Sequence, residues 1–140
     1  MLKNNKGQAM IEMAIILPIL LLLVLGIFDF GRILYSQILL EKNARYAARV
    51  GIVKNSDSEI MQAINESSSG LDSSRLNIVI DPSQSARSSG DSLRVKLDYD
   101  IDIFTPLMSN IIGSPVNISG EATMRVEWLY ESFKKWIRSS

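Results

Sequence analysis

The chain of 140 residues contains no cysteine and no histidine. Without cysteine it has neither a disulfide framework nor a thiolate metal site. Without histidine as well, Ser-His-Asp and Cys-His catalysis are excluded, as are zinc sites ligated by either residue. Carboxylate-only and Ser-Lys chemistries survive on residue type, but no spacing assembles an acid/base constellation. The expectation is a protein that is not an enzyme and needs no cofactor. No sign of charge dominates, since 15 Lys and Arg stand against 15 Asp and Glu, and nucleic-acid binding therefore has no electrostatic support. No internal repeat is visible.

What is present is concentrated near the N-terminus. A short basic leader runs into Gly7-Gln8-Ala9-Met10-Ile11-Glu12, which opens an almost unbroken apolar run from Met13 to Phe28. That run would give about 24 Å of helix, short of a hydrocarbon core of ~30 Å. Extending it back to Ala9 and on to Phe30 reaches a workable length and puts Glu12 near the inner interface. A carboxylate is expensive to bury there, so its place five positions after a glycine asks for a reason. The pattern resembles a prepilin peptidase site. That resemblance implies cleavage after Gly7 on the cytoplasmic side and a mature chain that starts at Gln8, with Glu12 at its fifth position. A cleaved secretory signal is the poorer alternative, because Asp29, Phe30, Gly31 and Arg32 follow the run instead of small residues suited to signal peptidase. A plain uncleaved anchor is the other alternative.

Lys3 and Lys6 are the only charges before Glu12, and they place the N-terminus in the cytoplasm with the rest of the chain outside. Loss of the leader would leave 13 basic against 15 acidic residues. Room remains for one small exported domain with a modest core.

No proline or turn cluster appears between Phe30 and Gly51, so one continuous helix from about Ala9 to Val50 is expected. Pro18 removes one of its hydrogen bonds and should kink or loosen a turn, which membrane helices tolerate when packed. Beyond the span, Phe30, Leu34 and Ile38 form one apolar stripe, and Leu40, Ala44, Ala47, Ala48 and Gly51 an adjoining one. Ser56 with Glu59 has capping-box spacing and announces a second, short helix that ends at Ser67-Ser68-Ser69-Gly70.

Strand signals follow. Leu93 to Ile103 alternates apolar and charged residues without a break, and Val116 to Trp128 alternates apolar and polar residues, with Gly120 as a bulge candidate. A shorter run, Leu76 to Ile80, should form a hairpin with the strand from Leu93. Three strands with one apolar face each need a cover, and the outer half of the first helix is the long stripe free to supply it. The expected fold is α+β and pilin-like, a long N-terminal transmembrane and amphipathic helix with a small three-stranded antiparallel sheet packed on its outer half. Residues 107–112 read as a loop with one helical turn, and Leu129, Phe133 and Ile137 as one face of a terminal helix. The boundaries are a leader at 1–7, a transmembrane helix at 8–30, the exported half of the helix at 31–52 and a small domain at 53–140.

The chain resembles the TadE-like minor pilins, or pseudopilins, of the tight-adherence (Tad/Flp) pilus system. The resemblance rests on Gly7 to Glu12 followed by Ala14, Pro18 and a leucine-rich run, on Phe28-Asp29-Phe30-Gly31-Arg32, and on the Ala/Arg-rich stretch to Arg49. Phe104-Thr105-Pro106-Leu107 and Ala122 to Glu127 add to it. It implies a bacterial protein cut by a prepilin peptidase, working with an inner-membrane assembly platform and other minor pilins to start or support a filament of Flp major pilin. Major Flp pilins are little more than the helix, so the added domain favours the minor role.

A mechanism follows from charge. After cleavage Gln8 carries a free ammonium, which Glu12 of a neighbouring helix can pair with, while Ile11, Ile15, Pro18, Ile19 and Leu22 supply packing without register. Two features invite over-reading. Asp98, Asp100 and Asp102 lack the glycine and glutamate of a calcium loop and read as a solvated strand face, with ion pairs to Arg94 or Arg125. Lys134, Lys135, Trp136 and Arg138 form a basic, aromatic tail that suits anionic lipid, a partner pilin, or a short amphipathic helix closing the sheet. The competing class is a membrane-anchored adhesin or sensor domain, for which the helix is only a tether.

Overall fold

The computed structural model describes residues 5–126 and 137–138. In chain order it contains α1 (Asn5–Lys54), α2 (Asp57–Ser67), β1 (Leu76–Asp81), β2 (Ser92–Ile101), α3 (Pro106–Ile112) and β3 (Val116–Arg125), with single 3-10 turns at Ser73–Arg75 and Gln84–Ala86. The class is α+β, as the alternation of the strands predicts. The end of the third predicted strand at Trp128, Lys3 of the leader, and the terminal helix and basic tail up to Trp136 lie outside the described residues. The chain divides into two compact units. One is formed by residues 1–34 with 101–116, the other by residues 35–100 with 117–140.

In the first unit α1 is apolar on every side and exposed, and it is long and apolar enough to cross a membrane. Its helical assignment continues through Pro18. Such a surface is stable only against an apolar surrounding.

In the second unit the strands form one sheet in the order β1-β2-β3. β1 and β2 are antiparallel, in register from Leu76 opposite Tyr99 to Asp81 opposite Arg94. β2 and β3 are antiparallel as well: Asp100 accepts from Asn117 at 2.8 Å and Arg94 pairs with Glu121 at 3.2 Å, so positions fall on one strand as they rise on the other. Leu93, Val95, Leu97, Ile118 and Ala122 on the inner face are buried with Leu40, Ala44, Ala47 and Ala48 of α1 and Ile60 and Ile64 of α2. Each large side chain fully removed from water there contributes about 1.5–3 kcal/mol. Asn43 is the polar member of this face of α1. It is buried, and its amide donates to Ser68 Oγ at 3.1 Å, tying the end of α2 to α1.

Four details differ from the sequence reading. First, the cover uses one of the two predicted stripes: Leu40, Ala44, Ala47 and Ala48 are buried, whereas Phe30, Leu34 and Ile38 are exposed. Second, Gly120 marks no bulge. The alternation of buried and exposed residues keeps its phase through it, and a Cβ there would stand 2.5 Å from the carbonyl carbon of Leu40 and 2.6 Å from the amide nitrogen of Glu41. The strand backbone rests on the helix backbone, and small helix residues allow that approach. Third, the capping box does not form. Ser56 is the N-cap residue of α2, but its hydroxyl shares a hydrogen bond with Ser58 Oγ, and Glu59 pairs with Lys54 at 2.8 Å. Fourth, Asp98 pairs with Lys96 on its own strand at 2.9 Å, and Arg94 takes Glu121 instead of an aspartate.

Arg87 closes the loop after β1. Its side chain is fully buried and its guanidinium donates to Asp57 Oδ1 at 2.6 Å, Asn55 Oδ1 at 3.1 Å and the Pro82 carbonyl at 3.1 Å. Asp57 and Gln84 add two reciprocal bonds, Gln84 N to Asp57 Oδ2 and Asp57 N to Gln84 Oε1. The start of α2 is thus fastened by an arginine 30 residues away.

Two outcomes are expected from denaturation of the full chain in detergent, followed by circular dichroism. Gly120→Ala should cost about 1–3 kcal/mol, because the new methyl must displace helix backbone, while Thr123→Ala on the outer face should change little. Arg87→Ala should cost about 1–3 kcal/mol by leaving half-buried partners unpaired, against less than about 1 kcal/mol for Arg45→Ala, whose pair with Glu41 is exposed.

Candidate functional site

Gly7, Gln8 and Glu12 all lie in the first turns of α1 and are exposed. A Cβ at Gly7 would meet nothing within 4 Å, so nothing in the described chain covers that position. Gln8 Nε2 donates to Glu12 Oε1 at 3.3 Å, one turn along the helix. At about 100° per residue, Ile11, Ile15, Pro18 and Leu22 fall in a sector of roughly 60°, with Ile19 and Gln8 at one border and Glu12 just beyond them. Ile11, Ile15 and Ile19 are each more than 60% exposed, and Leu22 is 38% exposed. The residues singled out for processing and subunit contact thus share one side of one helix. In the single chain Glu12 has the neutral amide of Gln8 as its partner and no cation within bonding distance among the described contacts.

A second constellation stands at the end of the apolar run, and sequence reasoning missed it. Asp29 is 4% exposed. Its carboxylate accepts three hydrogen bonds, from Phe104 N at 3.1 Å, Thr105 N at 2.9 Å and Thr105 Oγ1 at 2.6 Å. Arg32, one turn on, lies 3.8 Å from Asp29, donates to the Asp102 carbonyl at 3.3 Å and holds its guanidinium 4.3 Å from the centroid of the Phe104 ring. Thr105 is the N-cap residue of α3; its hydroxyl makes no capping bond and donates to Asp29. Pro106 follows in the first turn of α3, where a missing N–H costs nothing.

Two motifs separated by 75 residues, Phe28 to Arg32 and Phe104 to Leu107, therefore meet at one carboxylate. The signal was in the sequence: an aspartate between two phenylalanines at the end of a membrane-length run must find donors if it is to be buried. Which donors it finds is a matter of tertiary structure. Asp98, Asp100 and Asp102 do not assemble, and among the described residues no group of three or more acidic side chains could hold a metal ion.

A family model described as TadE-like protein matches residues 7–49. The match begins at the glycine of the N-terminal motif, includes Asp29 and Arg32, and ends within α1. No curated protein and no solved structure matches the chain.

Asp29→Ala should free two backbone N–H groups and a hydroxyl at a cost of about 3 kcal/mol. Amide exchange at Phe104 and Thr105, followed by mass spectrometry on the full chain in detergent, should accelerate roughly a hundredfold, with exchange in β2 unchanged. Unchanged exchange at both amides would show that the carboxylate does not hold this loop.

Proposed function

We propose that the chain is a minor pilin, or pseudopilin, of a Tad-type pilus, a non-catalytic component processed by a prepilin peptidase that helps to initiate or support assembly of an Flp filament. The observation that carries this reading is the TadE-like match over residues 7–49, on a helix whose Gly7-to-Glu12 start and apolar face are uncovered. The partners on this reading are the peptidase, other minor pilins, the Flp major pilin, the inner-membrane assembly platform and membrane lipid. The N-terminus is cytoplasmic and the sheet-bearing part extracytoplasmic.

The chemistry of assembly follows from the cost of charge in lipid. Cleavage after Gly7 turns the nitrogen of Gln8 into an ammonium four residues from Glu12. In the single chain Glu12 has the neutral Gln8 side-chain amide as its partner, at 3.3 Å, and its charge is left for a neighbour to compensate. In a parallel bundle the ammonium of one subunit lies opposite Glu12 of the next when the helices are staggered by about one turn, or ~5.4 Å. Ile11, Ile15, Ile19 and Leu22 supply contact that slides, and the charge pair fixes the register.

The test is the N-terminus of the mature protein. Co-expression with an active prepilin peptidase should give a chain beginning at Gln8 by intact-mass and terminal-peptide mass spectrometry, and an inactive peptidase should leave Met1. A start at Met1 under both conditions would sink the pilin reading and leave a tethered binding module. In the processed protein, Glu12→Ala should weaken co-isolation with partner pilins by roughly a hundredfold in affinity, the equivalent of about 3 kcal/mol. Unchanged association would remove the charge-register mechanism.

A further inference from the structure

Between β2 and β3 the chain leaves the sheet, and the segment 101–116 belongs to the same compact unit as the apolar part of α1. There it forms α3, whose Thr105 end is bound to Asp29. From that end α3 runs back along the span: Pro106 and Asn110 line a shallow apolar groove together with Pro18, Leu21, Leu22 and Leu25. Leu21 lies eight residues before Asp29 on α1, which is about 12 Å deeper along the helix axis. Leu22 and Leu25 are 38% and 39% exposed in this groove, while Leu21 beside them stays 58% exposed.

The outer surface of this segment is apolar. Phe104 and Ile111 are each 71% exposed and Ile112 57%. Facing water, three such side chains would be an unusual cost for so short a segment. Non-helical backbone at membrane depth is tolerated only where its polar groups are satisfied internally, and here the donors that lead into α3 and the one that follows it are answered. The N–H of Ile103 donates to Ser114 Oγ, and those of Phe104 and Thr105 donate to Asp29. Pro106 and Pro115 have no N–H to satisfy. Ser109 N donates to the Thr105 carbonyl, Gly113 N donates to the Ser109 carbonyl, and Ser109 Oγ donates to the Pro106 carbonyl. Arg32, stacked on Phe104, has the arrangement of an interfacial anchor, with an apolar stem, an aromatic neighbour and a charged head that can reach the headgroup layer.

We propose that the segment from Phe104 to Ile112 is a lipid-inserted wedge. It lies beside the span in the outer half of the bilayer, with Phe104, Ile111 and Ile112 against acyl chains and the Asp29 carboxylate satisfying its backbone from within. The occupant of this face is lipid, on the ground that it is continuous with lipid-facing leucines of the span. The inference rests on the reading of α1 as a membrane span. It adds a second element at membrane depth, contributed by the part of the chain assigned outside.

The absence of cysteine makes the test direct. Single variants Ile111→Cys, Ile112→Cys, Leu21→Cys and Ser85→Cys of the full chain are labelled with a nitroxide and reconstituted in vesicles of phosphatidylethanolamine and phosphatidylglycerol. Collision with oxygen, which concentrates in hydrocarbon, is then compared with collision with a water-soluble nickel chelate. The expected result is an oxygen-to-nickel ratio at positions 111 and 112 that resembles position 21 and exceeds position 85 several-fold. A ratio at 111 and 112 equal to that at 85, with 21 still lipid-like, would overturn the wedge and leave the span intact. A label at 111 shielded from both reagents, and freed when labelled chain is diluted with unlabelled chain, would overturn it in favour of a second copy as the occupant. An aqueous ratio at 21 as well would remove the span and the wedge together.

Discussion

One helix has to satisfy two surroundings, and the sequence of α1 changes character to do so. Over residues 13–28 every side is apolar, which only an apolar medium or other helices can stabilise. Over residues 40–51 a single side is apolar, and its members are small. Alanines at 44, 47 and 48 contribute little burial each, about one methyl apiece, but they let β3 come down until the α-carbon of Gly120 lies against the peptide between Leu40 and Glu41. Gly51 serves the same purpose further on, where a Cβ would collide with the Leu93 and Ile60 side chains. The packing of the second unit depends on this closeness of backbones. Large residues at either glycine would lift the layers apart and open gaps whose lining loses its contacts.

That constraint also explains where the sequence could be read and where it could not. Period-two alternation is a local signal, so Leu93 to Ile101 and Val116 to Arg125 are legible as strands and their inner faces follow from parity. The helix is legible from the length of its apolar and amphipathic run. The side of the helix that the sheet would take was not. Phe30, Leu34 and Ile38 offer more apolar area than Ala44, Ala47 and Ala48, and a ranking by area favours them or treats both stripes alike. Shape decides instead, since a glycine on a strand and alanines on a helix fit each other, and that fit joins residues some 80 positions apart. The same holds for the capping box. Ser56 and Glu59 have the right spacing, but Lys54 offers Glu59 a charged partner and the Asp57 N–H finds Gln84 instead.

The polar interior was the least legible part. Asn43, Arg87 and Asp29 are buried, and each is bound by groups far along the chain: Asn43 by Ser68, Arg87 by Asp57 and Asn55, Asp29 by Phe104 and Thr105. A buried polar group without a partner costs more than an apolar one gains, so each of these residues implies a specific set of donors or acceptors. Sequence alone says that such a set must exist if the residue is buried, and does not say which segment carries it. Asp29 illustrates the point. Its neighbours Phe28 and Phe30 are exposed and apolar, and it is the single acid between them that draws in the backbone at Phe104 and Thr105.

Asp29 and Glu12 are the two carboxylates of the apolar stretch, and they present opposite cases. Asp29 has two backbone donors, a hydroxyl and an arginine, and its charge is compensated inside the chain. Glu12 has one neutral amide at 3.3 Å and is otherwise open. A carboxylate near lipid carries a cost of about 2.5–3.5 kcal/mol at the centre of a span, less toward its end, and a single long neutral hydrogen bond offsets little of it. A residue whose burial is internally compensated has a structural task that is complete in one chain. Glu12, at the opposite end of the span, has no such compensation within the chain, and on the proposed reading cleavage after Gly7 would create one cation per subunit to supply it. On the proposed reading the two acids have different tasks: Asp29 belongs to the fold of a single subunit, and Glu12 to its assembly.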